Sequence, residues 1–416
     1  MRICRRPKPA AATGVSIRLV NLFYGIGTAP TGALLESAAK ELVQTGHRVE
    51  VLTGCVEYKN SGPTARSAFG AGVYTLGWGS GQAPGASGRL VSWFKFYLAC
   101  AWFAATHPVP AKTIVMTTPP YLHLIFILRN WFARRPSQLV LWNQDIYPEV
   151  MASVGVVRPG SLMFRVLVSL QRFGTRRIDK AIVLDRAMQR ILEGHGAKQV
   201  RIIPNWDVAT GSAEPIQSVE LLRAIRSAKP VFRHLVLYSG NYGLGHDLST
   251  LFNYLSSRAD QRDFYFLFVG GGEKWRTLAD FQNQNHLPCL GIFPYLPRAQ
   301  VSCLLECAGF GLVALKESCA GLISPSKIHG YLACGKPLIY IGPDGTNVSD
   351  AIRDYNCGFR VGENDVAGLD RCLARIADGG FDYSALSSNA RRAAQERYSE
   401  PAGPRNVAGF ITSDSF

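Results

Sequence analysis

Short apolar runs alternate with helix-period segments and glycine turns along almost the whole chain. Ser16 to Phe23 is an apolar strand, followed by the turn-rich Tyr24-Gly-Ile-Gly-Thr-Ala-Pro-Thr-Gly32. A helix-period segment, Ala33 to Gln44, leads through Gly46-His47 to a second strand, Val49 to Thr53. Strand, glycine loop, helix and strand make a βαβ unit, which predicts a parallel sheet with right-handed crossovers. Ser61 to Gly88, rich in Gly, Ser and Ala, reads as a long loop. Thr113 to Thr117, Leu139 to Trp142, Asp179 to Asp185 and Val200 to Asn205 supply further strands, the third leading into a helix that ends near Gly194.

After a polar, helical connector the pattern restarts. Leu235 to Ser239 is a strand, Gly240 to Gly245 a loop, and Asp247 to Ser257 a helix. Phe264 to Val269, Leu287 to Ile292, Gly309 to Ala314 and Leu338 to Ile341 continue a second doubly wound sheet. The expected organisation is a basic tail (1–15), a first α/β domain (16–205), a linker (206–230), a second α/β domain (231–400) and a C-terminal tail (401–416). Ligands of such sheets bind beyond the carboxyl ends of the strands, so two facing sheets predict a site in a cleft.

Composition sharpens this picture in two places. Hydrophobic residues make up 47% and charged residues 18%, as in a folded protein rather than a disordered one. The net charge of +15 is uneven: residues 1–205 carry +16 and the remainder −1, and no acidic residue occurs from 58 to 144. That asymmetry points to an anionic partner for the N-terminal half, a membrane surface, a phosphorylated lipid or a nucleic acid. Arg89 to Ala105 is a helix carrying Trp93, Phe94, Phe96, Tyr97, Trp102 and Phe103, with Arg89, Ser92 and Lys95 along one edge. Tyr121 to Arg135 is a second such segment, ending Asn-Trp-Phe-Ala-Arg-Arg. Aromatic helices edged with arginine suit the lipid headgroup zone, or else burial against the sheet. Neither has the form of a nucleic-acid motif. No apolar run reaches the roughly 18–20 residues of a membrane span, and the basic opening is not followed by a leader-like apolar core, so the expectation is a cytosolic protein. The ten cysteines include no Cys-x-x-Cys pair and read as buried thiols, Cys303 and Cys307 included.

Three motifs carry chemistry. Gly321-Leu-Ile-Ser-Pro-Ser-Lys327 is a glycine-led loop that delivers Ser326 and Lys327 at the start of a short helix ending at Gly335. Unpaired N–H groups and a lysine there form an anion site suited to a diphosphate, or else a solvated loop lysine. Tyr238-Ser-Gly-Asn-Tyr-Gly-Leu-Gly-His-Asp247 follows a strand; Gly240, Asn241 and Gly243 let the backbone approach an anion, and His246 is a cap, a surface residue or a catalyst. Trp142-Asn-Gln-Asp145-Ile-Tyr-Pro-Glu149 closes a strand and sets Asp145 where a carboxylate orients a sugar hydroxyl, or caps the helix after Pro148.

Together these segments resemble the retaining nucleotide-sugar glycosyltransferases of the GT-B type, in the branch that makes bacterial polysaccharides and O-antigens. Thr45-Gly-His-Arg-Val-Glu-Val-Leu-Thr-Gly54, Gln144-Asp-Ile-Tyr-Pro-Glu149, Ile203-Pro-Asn205, Ser239-Gly-Asn241, Val269-Gly-Gly-Gly272, Pro325-Ser-Lys327 and Cys334-Gly-Lys-Pro337 carry the likeness, over nearly the whole chain. The resemblance implies two Rossmann-like parallel-sheet domains. It also implies a nucleotide diphosphate-sugar donor with no further cofactor, and transfer with retention to a lipid-linked or saccharide acceptor at the inner membrane face. The donor would lie on Gly240, Asn241, Gly243, His246, Gly321, Leu322, Ile323, Ser326 and Lys327, with Phe293 to Pro297 facing the base. Gly27, Gly32 and Glu149 would serve the acceptor, and Asp145 and Lys327 the chemistry. No Asp-x-Asp occurs, so a carboxylate-bridged metal is not expected. One departure stands out: the two glutamates that most of this family spaces eight apart fall here on Leu322 and Gly330, with Glu317 out of register. A non-catalytic partner of the same fold, a nucleic-acid-binding protein and a dehydrogenase remain as alternatives.

Overall fold

In the computed structural model the apolar runs become strands of two all-parallel sheets. Residues 14–25, 29–55, 70–76, 86–208, 214–229 and 231–413 are described, and they divide into two units: residues 1–208 with 400–416, and residues 209–399.

The first unit begins with β1 (Ser16–Phe23), α1 (Pro30–Gln44), β2 (Arg48–Cys55) and β3 (Gly72–Thr75). It continues through α2 (Ala86–Thr106), β4 (Lys112–Met116), α3 (His123–Trp131), β5 (Gln138–Trp142), α4 (Glu149–Ser153), α5 (Leu162–Thr175), β6 (Lys180–Val183), α6 (Arg186–Gly194) and β7 (Val200–Ile202). The sheet order is β3-β2-β1-β4-β5-β6-β7, with Leu19 in register between Val51 and Ile114. Pro30 opens α1 where a missing N–H costs nothing, and the helix buries Leu34, Leu35, Ala38 and Leu42. The winding direction reverses between β1 and β4, and their carboxyl ends flank the switch point where ligands of such sheets bind.

The second unit holds α7 (Val219–Ala228), β8 (His234–Asn241), α8 (Ser249–Ser257), β9 (Phe264–Gly271), α9 (Trp275–Asn285), β10 (Leu290–Pro294), α10 (Arg298–Cys307) and β11 (Phe310–Ala314). After a 3₁₀ turn at Glu317–Cys319 come α11 (Lys327–Ala333), β12 (Leu338–Ile341), α12 (Asn347–Tyr355), β13 (Gly358–Val361), α13 (Val366–Ala377) and α14 (Tyr383–Arg397). The order β10-β9-β8-β11-β12-β13 puts the reversal between β8 and β11.

Three sequence expectations need correction. Residues 401–416 are not a tail through most of their length: Ala402–Thr412 forms α15, which packs on α1 in the first unit. Val407, Ala408 and Ile411 join the core that contains Leu35, Leu42 and Val51. Two buried lysines hold the end of α15: Lys112 Nζ donates to the Ile411 carbonyl at 2.9 Å and Lys180 Nζ to that of Phe410 at 2.9 Å. Helix-terminal carbonyls lack intrahelical donors, and cations satisfy them well. Second, the long loop expected from 61 to 88 contains β3 and the opening of α2; its remainder, like the basic residues 1–13, lies outside the described residues. Third, Gly240 and Asn241 continue β8, in register with Gly270 and Gly271, rather than opening a loop.

Candidate functional site

The switch point of the second unit gathers three segments that the sequence presents separately. Gly240 has φ of 110°, and a Cβ on its neighbour Gly270 would lie 2.0 Å from the Gly240 carbonyl, so both strand ends require glycine. The chain then turns through Tyr242, whose N–H donates to the Gly271 carbonyl at 2.6 Å, and returns to β11, where Lys316 N–H donates to the Gly245 carbonyl at 3.0 Å. His246 Nδ1 lies 2.6 Å from the Ala314 carbonyl. A carbonyl only accepts, so Nδ1 carries the proton. Burial, then the neighbouring Lys327 charge, push the His246 pKa down to about 3, and the ring is neutral with Nε2 left as an acceptor. It tethers two strand-end loops; it is not a helix cap.

Lys327 stands where the sequence puts it, at the first position of α11. Its ammonium donates to the Asn241 carbonyl at 2.7 Å and lies 4.7 Å from the centre of the Tyr238 ring. Burial lowers its pKa from 10.5 to about 7, because the charged form has lost water and gained only a carbonyl and an aromatic face. Helix α11 is fixed to the sheet by Tyr331, whose hydroxyl accepts from Ser239 N–H and donates to the Leu237 carbonyl, each at 2.8 Å. Gly311 makes room for that ring: a Cβ there would lie 2.3 Å from it.

The loop before α11 meets the β8 loop through Ile323, whose Cδ1 lies 2.3 Å from where a Gly245 Cβ would stand. Gly321 takes φ of 71°, and Gly243 is buried beside the Asn241 amide. Two details differ from expectation. The Leu322 N–H already donates to the Cys319 carbonyl at 3.0 Å, so it is not available to a ligand. Helix α11 has only seven residues and Ser326 makes no side-chain cap bond, so side-chain charge outweighs the helix dipole here.

That charge comes from two further lysines. Lys274 follows the glycine-rich end of β9; its ammonium donates to the His246 carbonyl at 2.7 Å and lies 3.9 Å from Asp247. Its pKa is lowered by burial and then by the adjacent Lys316 ammonium. Burial opposes ionisation of Asp247, but bonds from Ser249 and the two lysines outweigh it and hold its carboxyl below the usual range. Lys274 and Lys316 escaped the sequence reading, although each stands just beyond a strand end. Tyr295, in the segment expected to face a base, is exposed and lies against Gly271.

In the first unit, Thr117 Oγ1 accepts from Gln144 N–H at 2.9 Å and from Asp145 N–H at 3.4 Å, fixing the turn after β5 to the end of β4. Gln144 and Asn205 exchange amide bonds of 3.3 and 2.8 Å. Burial raises the Asp145 carboxyl from 3.8 to about 6, and among the described residues no ion pair or side-chain hydrogen bond reaches it. Asp145 does not cap α4, whose cap position is Pro148. Glu149 is less free: its Oε1 pairs with His195 Nε2 at 3.0 Å. Gly32 closes the turn after β1, its carbonyl accepting from Gly25 N–H at 3.1 Å. Gly27 lies outside the described residues.

Residues 31–206 match the Glycosyl transferase 4-like domain. The chain is 25% identical over 267 residues to the probable glycosyltransferase WbjE of Pseudomonas aeruginosa, an alignment covering 63% of this chain and 64% of that relative's length. Among solved structures, WaaG, a glycosyltransferase involved in lipopolysaccharide biosynthesis, superposes with a TM-score of 0.64 at 17% identity, over 95% of this chain and all of that one. Alr3699/HepE of Anabaena in complex with UDP-glucose gives 0.65 at 16% identity, over 96% and 99%. These structural likenesses show the fold, two parallel-sheet α/β units as in the GT-B glycosyltransferases.

Proposed function

We propose that this chain transfers a sugar from a nucleotide diphosphate-sugar to a lipid-linked saccharide acceptor, with retention, in cell-surface polysaccharide biosynthesis. It would do so in the cytoplasm, at the inner membrane face. The observation that carries the reading is Lys327: a half-buried cation at the switch point, bonded to the Asn241 carbonyl and in no ion pair among the described residues, with Lys274 and Lys316 beside Asp247 on the neighbouring loops. A lysine set so, with no carboxylate paired to it, is underneutralised until an anion joins it. The match of residues 31–206, the similarity to WbjE and the UDP-glucose bound by a neighbour of the same fold support the choice of ligand.

In this reading the diphosphate lies against the three ammonium groups and the exposed Ser326 hydroxyl. Tyr295 offers an aromatic face to the base. As the bond from the anomeric carbon to the phosphate oxygen lengthens, charge grows on the diphosphate, and the fixed Lys327 ammonium stabilises it. Removing one such donor costs ~2.7–4 kcal/mol of barrier. The acceptor oxygen bonds to the anomeric carbon on the face the diphosphate leaves, and its proton passes to the departing phosphate oxygen. Asp145, ionised above pH 6, accepts a hydrogen bond from a neighbouring hydroxyl of the acceptor sugar and so orients the attacking one. The lysines take the part a divalent cation plays elsewhere, so a chelator leaves turnover unchanged.

The test is nucleoside diphosphate release from a panel of nucleotide sugars in the presence of membrane-extracted acceptors. Release that Lys327→Ala lowers by roughly 100-fold or more supports the reading. Donor binding with no release, over the whole panel, favours the non-catalytic alternative to which the Leu322 and Gly330 substitutions point.

A further inference from the structure

Helices α2, α3 and α5 lie side by side on the first unit, α3 in the middle. Each buries one face and leaves the other uncovered. On α2, Phe94, Leu98 and Trp102 recur every fourth residue and are exposed, while Phe96 and Phe103 turn inward. On α5, Leu162, Val166, Leu170 and Phe173 form a second exposed stripe, with Leu162 79% accessible. Trp131 at the end of α3 meets Phe173 edge-on at 6.0 Å, and Phe132 beyond it is 78% accessible, so the apolar face is continuous from α3 to α5.

The charged residues within these three helices are all basic. Arg165, Arg172 and Arg176 flank the α5 stripe, exposed, and Arg134 and Arg135 follow α3. None of the three helices contains an acidic residue. No helix among the described residues is long and apolar enough to cross a membrane.

We propose that this three-helix face is a monotopic docking surface for an anionic lipid bilayer: the apolar stripes enter the headgroup boundary and the arginines pair with lipid phosphates. Apolar stripes edged by cations are the arrangement that gains from both terms at once. A second copy of the chain is the wrong occupant, because a two-fold interface would set arginine stripes against each other with no acid to answer them. A nucleic acid would meet the arginines but leave Leu162, Val166 and Leu170 without an apolar partner. The inference deepens the proposed function, whose lipid-linked acceptor resides in such a bilayer, yet its test involves no turnover, so either can fail alone.

The experiment is flotation of the full chain with vesicles of phosphatidylcholine, with and without phosphatidylglycerol, at low and high salt. Binding is expected to require phosphatidylglycerol. Arg165→Gln, Arg172→Gln and Arg176→Gln together should weaken it by roughly 100-fold, about fivefold per charge. Phe132→Ser with Leu162→Ser and Val166→Ser, all exposed and therefore compatible with folding, should leave only binding that salt removes. Equal flotation with neutral vesicles, or apolar variants that float as tightly as the parent in high salt, overturns the proposal. So does a concentration-dependent dimer that the serine variants abolish while vesicle binding is absent.

Discussion

Lys327 gives up its proton more readily than a solvated lysine, so donor binding should be a proton-linked event. Its pKa is held at about 7 by burial. A bound diphosphate supplies the missing counter-charge and restores the proton. The affinity for a nucleotide sugar should therefore be flat below pH 7 and fall as pH rises, by roughly tenfold per unit or about 1.4 kcal/mol. Between pH 6 and pH 8 the expected loss is about tenfold. An intact nucleotide sugar is the right probe, because its diphosphate is doubly esterified and does not titrate in this window, whereas a free nucleoside diphosphate gains charge there and masks the effect. Calorimetry in buffers of different ionisation enthalpy should report uptake of about half a proton per ligand at pH 7. Lys327→Met should bind about 10- to 150-fold more weakly at pH 6, the worth of a charge-assisted hydrogen bond, and should show neither the pH slope nor the proton uptake. An unchanged slope in Lys327→Met, or affinity in the parent that rises with pH, refutes the reasoning.

Other perturbations separate architecture from chemistry. Asp145→Asn should stabilise the first unit at pH 8, by at most about 3 kcal/mol, since its carboxyl is raised from 3.8 to about 6 and each unit is worth about 1.36 kcal/mol. The sign follows from the folded state holding its proton longer, so the gain vanishes below pH 4; urea titration at both pH values reads it, and turnover should fall. Tyr331→Phe removes one donor and leaves Ser239 N–H unpaired, which should cost about 1–3 kcal/mol in chemical denaturation and loosen the setting of Lys327. Deleting residues 402–416 strips Val407 and Ile411 from the core, about 1.5–3 kcal/mol each, and leaves Lys112 and Lys180 facing an empty groove; loss of a cooperative thermal transition in the first unit is the expected readout.

Much of this organisation is legible in the chain itself. Runs such as Phe264 to Val269 are apolar at every position because parallel strands are covered on both faces, and that continuity marks them out. Lys327 is legible because a glycine-led loop and a proline bracket it. What escaped did so for physical reasons. Helix α15 opens with Ala402-Gly-Pro404, which reads as a breaker, yet proline is tolerated in a first turn, and only tertiary contact with α1 decides the matter. Lys274 and Lys316 look like ordinary surface lysines; their meaning comes from the register of β9 and β11 against β8, which brings their ammonium groups to one loop. The arginine-edged stripe of α5 has a helical period that was open to notice, but nothing local says whether such a stripe is covered, and here it is not.

The central claim is that a nucleotide sugar lies on the second unit with its diphosphate against Lys327. A crystal structure of the chain with an intact nucleotide sugar tests it most directly. The account predicts a diphosphate oxygen within about 2.7–3.2 Å of Lys327 Nζ, beside the loops after β8 and β11. A diphosphate seated away from that switch point, with Lys327 still bonded only to the Asn241 carbonyl, contradicts it.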